Sequence, residues 1–118
     1  MKSAIIIKGN PKFISDNKDA EKFYNNLKVF LEDLNYSVTF DAGLPYTVPI
    51  FADLWVGHSR GSDRLRFAPN KTKTIAIGVE GGINNLMDKA LSSGDIPDKN
   101  HYILTKEMKE KIKKIICD

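Results

Sequence analysis

Residues 54–65 read LWVGHSRGSDRL, and the turn at their centre decides the fold. Leu54-Trp55-Val56 is a short apolar run of the kind that makes a buried strand, and Ser62 to Ala68 reads as a short helix. Between them, Gly57-His58-Ser59-Arg60-Gly61 fits the pattern G-x-S-x-G. In that pattern a serine stands on a strained strand-to-helix turn, and the flanking glycines leave room for the backbone to fold around it. Two roles suit Ser59. One is an exposed nucleophile; the other is a helix N-cap, with Ser62 and Asp63 as competing caps one turn later. His58 points the opposite way from its neighbour, as packing or hydrogen-bonded residues do.

On either side of this stretch, strands alternate with helices. Ser3 to Lys8, SAIIIK, reads as a buried strand that meets a turn at Gly9-Asn10-Pro11. Ala20, Phe23, Tyr24, Leu27, Phe30, Leu31 and Leu34 recur at helical spacing, with Asp19 placed to cap the helix. Ser37 to Asp41 has the β-branched and aromatic content of a second strand, and a Pro-containing connector, LPYTVPIF, follows. Ala52 to Gly57 is the third strand and Lys73 to Gly78 the fourth. A short helix is expected around Asn85 to Leu91, and HYILT (101–105) is a fifth strand or extended segment. Thr105 caps the last helix, whose Met108, Ile112, Ile115 and Ile116 share one face. The expectation is one three-layer α/β domain over residues 1–118, hydrolase-like or Rossmann-like. Its sheet should be mostly parallel, of about five strands, and covered on both faces.

Composition narrows the function classes. A chain of 118 residues with 42% hydrophobic and 28% charged residues can bury one core, not two. The longest apolar run is far too short to span a bilayer, and no leader peptide is apparent, so a cytoplasmic location without membrane association is expected. The single cysteine, Cys117, can form no internal disulfide, and the carboxylates lack metal-ligand spacing with the two histidines. No metal is expected. The lysines of the last helix alternate with Glu107 and Glu110 and carry no interleaved aromatic residues, which reads as a solvated face rather than a nucleic-acid surface. Arg64 and Arg66 read as residues of an exposed helix face, with anion binding as their second role.

The segment ADLWVGHSRGS resembles the nucleophile strand and elbow of the α/β-hydrolase family, where G-H-S is a frequent spelling. In the same order, AIIIKGNP looks like the strand and loop that donate an oxyanion-hole N–H, and SVTFDAG like the next strand. TKTIAIG looks like the strand after the elbow, and NHYILTKEMKEKIKKII like the His-bearing loop and last helix. The resemblance covers most of the chain, with the elbow as its specific part. It implies that Ser59 is the nucleophile and His101 its general base, oriented by Asp95 or, second, Asp98. Backbone N–H groups at Arg60 and near Asn10 would form the oxyanion hole. Gly9, Tyr46, Phe51 and His58 are the residues expected to border the substrate, a small acyl compound, and no cofactor is implied. The interval from Ser59 to His101 is short for the family, which implies one strand–helix unit fewer.

A rival reading stays open from the same turn. Backbone N–H groups beside Gly57 and Gly61, with Ser59 and Arg60 nearby, would suit a phosphate as well as an oxyanion, as in a Rossmann-like nucleotide or small-molecule binding module. A catalytically inactive hydrolase-like protein kept for protein contacts is its sibling. The small sheet leaves exposed edges that are compatible with a homodimer.

Overall fold

The computed structural model describes residues 1–9, 18–41, 52–69, 71–78, 94–96 and 102–117; for Lys18, Arg60, Asp63 and residues 94–96 it describes the backbone only. Four parallel strands form the body of the sheet: β1 (Lys2–Ile7), β2 (Tyr36–Asp41), β3 (Leu54–His58) and β4 (Lys73–Ile77). A three-residue strand, β5 (Gly94–Ile96), runs parallel beside β4. The order across the sheet is β2-β1-β3-β4-β5. Among the described residues two α-helices accompany it, α1 (Lys18–Asp33) and α2 (Lys106–Cys117), with a 3-10 helix at Ser59–Phe67.

The strand order dictates where the connections lie. From β1 the chain steps to one side to reach β2, and from β3 it steps to the other side to reach β4. Parallel crossovers are right-handed, so the two connections must cover opposite faces. They do. On one face Ala4, Ile6, Leu54, Val56, Ile75 and Ile77 pack against α1 and α2 through Phe23, Leu27, Leu31, Met108 and Ile112. On the other face Ile5, Ile7, Trp55 and Ala76 pack against Leu65 of the 3-10 helix. Strand residues therefore alternate between two cores, and β1, β3 and β4 are apolar on both sides because both sides are covered. Among the described residues, both α-helices lie on one face and only the 3-10 helix covers the other.

Several boundaries differ from the sequence reading. The fifth strand is Gly94–Ile96, and residues 102–105 form no strand, which leaves the extended segment as the reading of that stretch: Tyr102 and Leu104 pack against the α1 core, and the edge of β4 is taken by β5. Asp19 does not cap α1, because the helix already begins at Lys18 and Asp19 sits inside its first turn. The third segment's helix starts at Ser59 rather than Ser62 and is a 3-10 helix, a tighter winding usually confined to short pieces. Thr105 does cap α2: its Oγ1 accepts from the Met108 N–H at 3.1 Å. The helix expected around Asn85 to Leu91 and the connector 44–51 lie outside the described residues.

Candidate functional site

Ser59 stands at the carboxyl end of β3, where the strand order reverses. The chain leaves β1 toward β2 and leaves β3 toward β4, the reversal at which open parallel sheets form a crevice at their carboxyl edge. Open parallel sheets place their ligands at such a switch point. The loops after β1 and β3 approach one another. A Cβ built on Gly9 would lie 3.7 Å from Ser59 Cβ and 3.5 Å from the His58 carbonyl oxygen.

The backbone at Ser59 is in the left-handed region, with φ of 53°. For a residue with a side chain this conformation costs about 1–2 kcal/mol, so the surroundings must enforce it. Both flanking glycines do so by sterics. A Cβ on Gly57 would meet Ser62 Cα at 2.7 Å, and one on Gly61 would meet the carbonyl oxygens of Ile7 and Lys8 at 2.5 Å each. Only glycine lets the 3-10 helix lie this close to β1 and β3. Ser59 is not an N-cap. The cap position belongs to His58, in extended conformation at φ −118° and without a side-chain cap hydrogen bond. Ser59 is half-buried.

His58 lies on the other side of the strand from the 3-10 helix and is fully buried. Its ring is enclosed by Phe23, Tyr24 and Tyr102, with centroids 4.8, 5.1 and 5.4 Å away. His58 Nδ1 and Tyr24 Oη share a hydrogen bond of 2.7 Å, and the Gly9 N–H donates to the same phenol oxygen at 3.0 Å. Burial pushes the Tyr24 phenol above its ordinary pKa. The Gly9 N–H works against that shift, and nearby Tyr102 adds to it. The place of His58 is thus beneath the crevice floor rather than along its edge.

Arg64 has a structural partner. Its Nη1 donates to both carboxylate oxygens of Asp41 at 3.0 Å, tying the 3-10 helix to the end of β2, while Arg66 is exposed. Lys8, one residue before Gly9, stacks its ammonium over the Phe40 ring at 4.5 Å. Asp95 lies mid-strand in β5, paired with Ala76, rather than in a loop. Asn10, Tyr46, Phe51, Asp98 and His101 lie outside the described residues. Among the described residues, no group of three His, Cys, Asp or Glu side chains is placed to hold a metal, and no helix is long and apolar enough to cross a membrane.

Tyr24 and Tyr102 are members of this site that the sequence reading passed over. Tyr24 sits in the apolar stripe of α1 and reads as core. The available signal is that a buried tyrosine needs a partner for its hydroxyl.

Together the fold and the turn define a class: an α/β fold with a small all-parallel sheet and a glycine-flanked, left-handed serine at its switch point. No protein-family model, curated protein or solved structure matches the chain.

Proposed function

We propose that the chain is a small serine hydrolase of the α/β-hydrolase type, cleaving an ester or similar acyl bond through an acyl-Ser59 intermediate. One observation carries the reading: Ser59 holds a left-handed φ of 53° between two glycines that admit no Cβ without backbone movement. Such strain is typical of functional sites, and a nucleophile uses it because the turn lifts its Oγ clear of the backbone. Tyr102 supports the pairing of Ser59 with His101. It follows His101 in sequence and packs on His58, which precedes Ser59.

In the proposed reaction Ser59 Oγ attacks the acyl carbon while His101 takes the hydroxyl proton. The Arg60 N–H and a donor near Asn10 face the oxyanion, one such donor being worth about 3 kcal/mol. Collapse breaks the bond to the leaving group, which departs with the proton from His101. Water, deprotonated by the same imidazole, then releases the acid and frees Ser59. Asp95 or Asp98 would orient the imidazole.

The test is labelling with a fluorophosphonate probe, read by intact mass, on the unmutated protein, Ser59→Ala and His101→Ala. A single adduct on the unmutated protein, absent from Ser59→Ala and slowed at least about 100-fold in His101→Ala, is expected. No adduct on the folded protein would sink the proposal and turn attention to phosphate binding at the same turn.

A further inference from the structure

We propose that Tyr24 and His58 are a positioning pair that holds the three loops of the acyl-transfer site in place from beneath; this rests on Ser59 being the nucleophile. Each contact of the pair falls one residue from a reacting group. Tyr24 Oη accepts from the Gly9 N–H, and Gly9 precedes Asn10 of the oxyanion loop. His58 is hydrogen-bonded to Tyr24 at 2.7 Å and precedes Ser59. The His58 ring packs on Tyr102, which follows His101. One buried unit thus touches the loop after β1, the turn after β3 and the segment before α2.

The arrangement suits that role for physical reasons. Consecutive strand residues point to opposite faces, so His58 anchors the turn from below without occupying the crevice in which Ser59 stands. A phenol and an imidazole buried without partners would each cost stability, so the pair keeps a fixed geometry where apolar side chains could slide. Phe23, at 4.8 Å, also packs against the His58 ring. The Gly9 N–H, an orphan donor at the end of β1, has its orientation set by a side chain from α1. Aligning the oxyanion donors with the nucleophile is what acyl transfer needs, and a misplacement of about 1 Å costs about 100-fold in rate.

The experiment uses Tyr24→Phe, which keeps the ring and removes the hydroxyl. Fluorophosphonate labelling of Ser59 should slow about 10- to 100-fold. The kcat for p-nitrophenyl acetate should fall alongside it, with KM changed less than about twofold. Hydrogen exchange at the Gly9 amide should accelerate while the amides of β1 keep their protection. A purely structural role would instead lower Tm and speed exchange across the sheet, leaving the labelling rate of the folded protein unchanged; that result overturns the pair. If Tyr24→Phe does not fold, His58→Asn and His58→Ala decide. Asn keeps a hydrogen-bonding atom where Nδ1 stands and should label faster than Ala; equal rates overturn the proposal. Absence of label on the unmutated protein overturns the nucleophile and the pair together. Labelling that depends on Ser59 but not on Tyr24 or His58 overturns the pair alone.

Discussion

At Ser59 the chemistry of the side chain and the strain of the backbone can be separated by substitution. Ser59→Ala removes the hydroxyl but leaves a Cβ at φ 53°; Ser59→Gly removes both. The glycine variant should therefore be more stable than the alanine variant by about 1 kcal/mol in urea unfolding, and both should be unlabelled by a fluorophosphonate. Equal midpoints would mean that the turn is not strained at this residue. Gly61→Ala should be destabilised by about 1–3 kcal/mol, because the new methyl meets two carbonyl oxygens of β1's end and not a flexible side chain. This part of the site was legible in the sequence, since G-x-S-x-G names the residues that must lack a Cβ. The Tyr24–His58 bond was not legible: its partners are 34 positions apart, and nothing local to either announces the other.

At the scale of single elements, the ends proved harder to read than the interiors. The apolar stripe of α1 lies where the periodicity put it, but its last turn is closed by Asn35 in the left-handed conformation at φ 73°, which no spacing rule places. Of the two readings of residues 101–105, a fifth strand or an extended segment, the strand fails over 102–105 for a related reason. HYILT has strand-like residues, yet Tyr102 and Leu104 serve the helical core, and pairing on β4 falls to the unremarkable Gly94–Ile96. Packing overrode propensity. Helix α2 has two ends that can be tested. Thr105→Ala removes the hydroxyl that accepts from the Met108 N–H and should cost about 1 kcal/mol. Lys73 reaches from β4 to the other end, where its ammonium donates to the Ile115 and Ile116 carbonyls at 3.0 and 2.6 Å. It satisfies carbonyls that lack intrahelical partners and complements the negative end of the helix. Lys73→Met should cost about 1–2 kcal/mol, read as a shift of the urea midpoint without a change of slope.

Across the whole molecule, the alternation of strands and helices was enough to expect a parallel sheet, but not the point where its order reverses. That reversal brings Gly9, after β1, beside Ser59, after β3, and it follows from which strands neighbour β1, a pairing invisible to local patterns. Stability against alkali gives a global measure of how tightly the floor of the crevice is sealed. Tyr24 is buried and its phenol pKa is raised; Tyr36 is raised as well, by burial first and then by Asp53 and Cys117. Below pH about 10 both tyrosines are protonated in the folded and the unfolded chain, so neither contributes a slope. As pH rises past that value the unfolded chain releases these protons while the folded chain retains them. The unfolded state then binds fewer protons, and stability falls with increasing pH until the folded-state pKa values are passed. Tyr24→Phe removes one of the two contributions. Its urea midpoint, followed from pH 7 to 11, should decline less steeply above about pH 10 than that of the unmutated protein, while the two curves stay parallel at lower pH. Identical slopes above pH 10 would mean that the Tyr24 hydroxyl is open to solvent, and the hydrogen-bonded floor beneath Ser59 would then lack the rigidity that aligning an oxyanion hole requires.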